Sequence, residues 1–166
     1  MSNVQLLAII TGLIFGLILN SPAHCQAPAS PIELKTTAQI AKRVNENGHD
    51  FIALTPADRV VPGDEVLYTV EVRNSGPVVL VVPAFTTPVP THMVIVLGSA
   101  VGPGAEVSYS VDGGRQFDTP DRLTVPDASG RPRAARPDEY THMRWLLHIR
   151  LRSNSVAYVR YRAILH

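Results

Sequence analysis

The stretch DEVLYTVEVRNSGP, residues 64–77, decides the fold class because its side chains alternate. Val66, Tyr68, Val70 and Val72 share one face and Leu67, Thr69, Glu71 and Arg73 the other, which is the period of two that a half-buried strand requires. Pro62, Gly63 and Asp64 introduce this strand, and Asn74, Ser75, Gly76 and Pro77 close it, all residues that favour turns.

The same grammar recurs on both sides. In AEVSYSVDGG, residues 105–114, Val107, Tyr109 and Val111 share a face, and Asp112-Gly113-Gly114 supplies a turn able to take positive φ. The intervening PVVLVVPAFTTPVPTHMVIVLG, residues 77–98, is interrupted by Pro77, Pro83, Pro88 and Pro90, so it predicts short or edge strands at Val78 to Val82 and Met93 to Leu97. Glu33 to Arg43 suits a strand or a turn or two of helix. DTPDRLTVPDASGRPRAARPDEY, residues 118–140, is rich in turn formers and predicts a long surface connection with one short strand around Leu123 to Val125.

Near the C-terminus, THMRWLLHIRLR (141–152) places Met143, Trp145, Leu147, Ile149 and Leu151 inward as one strand. His142, Arg144, Leu146, His148, Arg150 and Arg152 then point outward. Ser153-Asn154-Ser155 makes a turn, and a further strand turns Ala157, Val159, Tyr161, Ala163 and Leu165 inward and Tyr158, Arg160 and Arg162 outward. Two antiparallel strands with basic outer faces are therefore expected here.

A chain of 166 residues suits one domain around one core. Its hydrophobic fraction of 45% is that of a globular protein, and its charged fraction of 17% lies below the ~25% usual for soluble domains. The apolar run Leu6 to Leu19 has the length of a secretory h-region and falls short of the ~20 residues that span a bilayer. Residues 1–27 are thus expected to be a signal peptide helix, cut after Ala27 or alternatively after Cys25, although MSNVQ carries no Lys or Arg. An uncleaved anchor through residues 6–19 is the competing reading. Pro22, Ala23 and His24 do not make a lipobox before Cys25. Either cut removes Cys25, the sole cysteine, so the mature chain has neither a disulfide nor a thiol to use and must hold together by burial alone.

Seven to nine short strands with turns every 8 to 12 residues point to an all-β, immunoglobulin-like two-sheet β-sandwich, with residues 28–59 as its N-terminal strand region and 60–166 as its core. PGDEVLYTVEVRNSGP, a proline-rich span, VSYSVDGGRQF, THMRWLL and a strand ending VRYRAIL follow in that order. This order resembles the bacterial conserved-repeat domain known as domain of unknown function eleven, over roughly Val60 to Leu165. The resemblance implies an immunoglobulin-like sandwich of exported and cell-surface proteins, and it supplies no catalytic residues. A single copy without a repeat array departs from the usual setting of that family.

Candidate chemistry is sparse. His142 and His148 share a strand face but stand roughly 20 Å apart at ~3.3 Å per residue, too far for one metal ion. His142 meeting His92, Asp138 or Glu139 across strands would be needed for a metal centre or hydrolase. The sequence has no nucleophile elbow, no dinucleotide fingerprint and no P-loop, and GSAVGPG (98–104) lacks the lysine of a phosphate cradle, so no cofactor is expected. Asp112 suits a turn better than a calcium site. Lys35 and Lys42 suit an exposed strand better than an isopeptide bond, for which Lys35 with Asn154 is the conceivable pair.

Charge is the more informative pattern. Residues 131–166 hold eight arginines against Asp138 and Glu139, a balance of +6, whereas residues 28–130 hold seven basic and twelve acidic groups, a balance of −5. The candidate partner-binding face is Arg144, His148, Arg150, Arg152, Tyr158, Arg160 and Arg162. Its expected partner is another envelope protein, with anionic glycan or lipid headgroups as the alternative. Nucleic acid is disfavoured by the expected export and by thin aromatic interleaving, since only Tyr158 faces out among the arginines. Basic residues on outward strand faces also serve simply to keep a sheet soluble.

Overall fold

The computed structural model describes residues 30–46 and 48–166, so the expected signal segment lies outside the described residues. The 64–77 stretch forms a strand from Glu65 to Asn74, with Val66, Val70 and Val72 buried as their alternation requires. Numbered along the chain, the strands are β1 (Ile32–Glu46), β2 (His49–Pro56), β3 (Glu65–Asn74), β4 (Leu80–Val81), β5 (Ala84–Pro88) and β6 (Met93–Ile95). They continue with β7 (Ala105–Ser110), β8 (Thr124–Pro126), β9 (Pro132–Ala134), β10 (His142–Leu147), β11 (Arg150–Leu151) and β12 (Val156–Leu165). The only helical element among the described residues is a single 3-10 turn at Pro137–Glu139. The described residues are all-β, with 53% of them in strands.

Two antiparallel sheets carry the core. One has the order β2-β1-β3-β12-β6, the other β5-β10-β7. Their inner faces meet through aromatic rings: Trp145 of β10 lies 6.2 Å from Tyr161 of β12, ring centre to ring centre. Within the layers, Tyr161 stacks on Tyr68 at 4.9 Å and Trp145 on its cross-strand neighbour Phe85 at 6.1 Å. Trp145 is wholly buried, and its indole N–H donates to Thr87 Oγ1 at 3.2 Å, so its one polar atom is satisfied inside the core. Burial in this cluster pushes the Tyr161 phenol well above its ordinary pKa.

Several expectations need correction. Among the described residues there are twelve strands rather than seven to nine, because the proline-rich and turn-rich spans contribute pieces of only two to five residues. The 141–152 stretch is not one strand. The Ile149 N–H turns back to the Leu147 carbonyl at 2.7 Å, His148 N–H goes to the Gly104 carbonyl, and the chain restarts as β11 against β4. The Ser153–Ser155 turn, with Asn154 at φ 58°, then carries the chain into the other layer, so β12 pairs with β3 and β6 and not with β10. The 118–140 connection holds a β8–β9 hairpin and buries Leu123, Ala135 and Tyr140. Of Val78 to Val82 only Leu80 and Val81 pair, and the four valines there stay exposed.

The ambiguous N-terminal segment is the long strand β1. Ile32 to Ile40 pair with β3, and Gln39 to Glu46 pair with β2 on the opposite edge.

Buried Asn74 joins three segments at one end of the core. Its side-chain amide donates to the Val78 carbonyl at 2.7 Å and the Leu151 carbonyl at 3.0 Å, and its Oδ1 accepts from Gly76 N–H at 3.0 Å. One side chain thereby ties the end of β3 to the approach to β4 and to β11.

Candidate functional site

The residues expected to form one basic face lie on three strands of three sheets. Arg144 is on β10, Arg150 on β11, and Tyr158, Arg160 and Arg162 on β12, while His148 and Arg152 sit between strands. All seven are exposed. Because Trp145 and Tyr161 point at each other across the core, their sequence neighbours Arg144 and Arg160 or Arg162 point away from it on opposite layers. The expected pairing of two adjacent basic strands is thus replaced by a basic surface divided between the two outsides of the molecule.

Each part has its own company. The Arg144 guanidinium carbon sits 3.8 Å from the centre of the Phe117 ring, a cation–π contact. His148 Nε2 lies 3.0 Å from a Glu106 carboxylate oxygen. On the outer face of the larger sheet, Arg162 reaches Glu65 at 2.9 Å, Arg160 stands opposite Thr69, and Tyr158 stands opposite Glu71, itself paired with Arg73. That face is mixed in charge. Acidic residues from the first half of the chain have been folded against the arginines of the second, and exposed pairs of this kind steer approach more than they stabilise.

The turn-rich connection binds its own charges. Arg133 holds the Glu139 carboxylate through both terminal guanidinium nitrogens, one at 2.8 Å, and Arg136 N–H donates to the same group at 2.8 Å. These donors, the Arg133 side chain foremost, lower the Glu139 pKa to about 2. A carboxylate whose folded pKa is depressed contributes stability above its ordinary range, and that contribution is lost as pH falls through the folded value. Titration of Glu139 followed by carboxyl NMR should accordingly give a midpoint near 2, and Arg133→Gln should return it toward the ordinary range. A wild-type midpoint above 4 would show the fork to be absent in solution.

Asp112 is likewise consumed by its turn. Its Oδ1 accepts from Ser110 Oγ at 2.7 Å and from the N–H groups of Arg115 and Gln116 at 3.0 Å each, and these bonds lower its pKa. Gly113 and Gly114 take φ of 77° and 84°, as the turn requires.

A groove of about 430 Å³ is lined by His92, Met93, Asp138, Tyr140, Thr141 and His166 among others. His92 holds φ 63°, and its carbonyl accepts from His166 N–H at 2.9 Å. His142 is not in this groove; its imidazole packs over Gly114. The meeting of His92 with His142 that a metal centre would have needed does not occur there, and the described residues hold no group of three or more His, Cys, Asp or Glu side chains placed to share an ion. A second groove of about 420 Å³ runs past Asp112, Phe117, Asp118 and Arg122, where the 118–126 segment crosses the end of β7. The sequence pointed to neither Phe117 nor Arg122, and only the bridge between Tyr109 and Asp118 brings them together.

Lys35 is exposed on β1 opposite Glu71, and Asn154 lies in the turn after β11 with its N–H on the Asn74 carbonyl, so both serve as surface and turn residues. No helix among the described residues is long and apolar enough to cross a membrane. No family model, curated protein or solved structure matches the chain.

Proposed function

We propose that this chain is an exported, immunoglobulin-like β-sandwich with no catalytic chemistry of its own, serving as a structural or protein-interaction module of the bacterial envelope and akin to the conserved-repeat domain. The observation that carries this reading is the use made of the polar side chains. Asp112, Asn74, Glu139 and Thr87, which a catalytic site would hold ready for substrate, each bind turn or core groups of the protein itself. The loops are consequently braced from within, and what the molecule presents outward is two sheet faces of mixed charge. Such faces suit recognition by another folded surface. The h-region at residues 6–19 supports export, and a core built without any cysteine suits folding that waits for no oxidation step.

The test is expression of the full-length chain in a bacterial host, with the intact mass measured in each cell fraction. Loss of residues 1–27, with the product outside the cytoplasm and photo-crosslinked in intact cells to a discrete envelope protein, is the expected result. Retention of the N-terminal segment in a cytoplasmic species would overturn it.

A further inference from the structure

β1 has an edge that its neighbours leave open. The Ala57 N–H donates to the Ala38 carbonyl, and the Ser75 N–H to the Pro31 carbonyl, so even-numbered residues of β1 direct their backbone groups toward β2 and odd-numbered ones toward β3. β2 covers that even-numbered side only from Gln39 onward, with Ala57 at the end of its reach. The backbone groups of Leu34 and Thr36 therefore face outward beyond the end of β2, and among the described residues none pairs with them. Leu34, on the core-facing side of the sheet opposite Val72, is 41% exposed although it is a large apolar side chain.

We propose that this edge pairs with the same edge of a second copy of the chain, antiparallel and centred on Leu34. Ile32-Glu33-Leu34-Lys35-Thr36 is complementary to itself in that arrangement. Leu34 meets Leu34 of the second copy and both exchange backbone hydrogen bonds, as do Thr36 of either copy and Ile32 of the other, whose N–H gives up the Ser30 hydroxyl at 3.3 Å to do so. The non-bonded positions between them, where opposing Cα atoms come within about 4.5 Å, place Glu33 against Lys35 of the second copy and Lys35 against Glu33. The two leucines close over each other on the core side while two opposite-charge pairs form on the outer side. A shift of two residues in register loses both charge pairs, and a shift of one turns Leu34 to the wrong face, so the pattern specifies one alignment. The interface is short because Ala57 blocks further pairing, and the dimer is correspondingly weak and reversible. It joins two five-stranded sheets into one. This inference stands independently of where the protein resides.

The experiment exploits the complementarity. Glu33→Lys and Lys35→Glu each set like charges opposite one another in the homodimer and should weaken it about tenfold or more. The double variant exchanges the two charges and should restore wild-type association. Mixed together, the two single variants should form a heterodimer while each alone remains monomeric, which native mass spectrometry of the full-length chain reads directly when one variant is 15N-labelled. Thr36→Pro removes an N–H on the open edge without touching the β3 ladder, and should abolish association with folding intact by circular dichroism. A wild-type chain monomeric at about 100 µM would overturn the proposal, as would single variants that fail to form the heterodimer on mixing, or an edge occupied by a different protein.

Discussion

Trp145→Ala is expected to lose about 3–5 kcal/mol of folding stability, the cost of emptying a large aromatic site in a packed core. The indole is fully buried between Phe85 on its own sheet and Tyr161 on the facing one, so its removal withdraws the contact that holds the two layers in register. It also strands the Thr87 hydroxyl, whose partner is the indole N–H. Trp145→Phe keeps a ring between the layers but not the donor, and should fall between wild type and alanine. Equilibrium denaturation measures all three. As the single tryptophan, Trp145 also reports on itself: native emission should be blue-shifted and resistant to acrylamide, moving red only on unfolding. A loss below about 1 kcal/mol for the alanine variant would mean that the layers do not close around this ring.

Asn74→Ala should cost about 3 kcal/mol, because it deprives the Val78 and Leu151 carbonyls and the Gly76 N–H of their partner in a place water does not reach. Asn74→Asp is the sharper comparison. It preserves shape but turns a carboxylate toward two carbonyl oxygens with the Gly76 N–H as its one donor, and burial beside those acceptors raises the pKa of such a group. With a folded pKa above the ordinary value of about 3.9, its deficit is smallest below that value and grows as pH rises through the raised one. Urea titrations from pH 3 to 8 should therefore show Asn74→Asp falling away from Asn74→Ala with rising pH. A constant difference between the two would place Asn74 in contact with solvent.

Facing was legible in the sequence and pairing was not. Met143, Trp145, Leu147 and Leu151, then Ala157, Val159, Tyr161 and Ala163, are buried as their alternation required, since period two is a local property of the strand. Which strand lies beside which is decided by contacts distant in sequence. Ile149 fits the alternation, yet its N–H folds back on Leu147, and that one bond ends β10 and separates Arg144 from Arg160. Val78 to Val82 has the composition of a strand but pairs as one only at Leu80 and Val81, with β11, and Val82 sits at φ 49°, a conformation its branched side chain disfavours. Asn74 was legible as a strand terminator; its role as a buried junction depends on Leu151, whose position the local pattern does not give. The candidate basic face dissolved for the same reason: its members were neighbours in the chain, and their companions, Phe117, Glu106 and Glu65, were not.

The position of β12 has a consequence for timing. Residues 156–165 come after every other described strand along the chain, yet they form an interior strand of the larger sheet, with β3 on one side and β6 on the other, and they carry the tyrosine that meets Trp145. The larger sheet cannot close around β3 and β6, nor the smaller one gain its facing tyrosine, until residues 156–165 are in place. The ladder of β12 with β3 joins Val156 to Arg73 and Ile164 to Glu65, and pairing over such long sequence separations makes for slow folding. The strand order thus works as a delay, since the larger sheet closes only when the last of its described strands arrives.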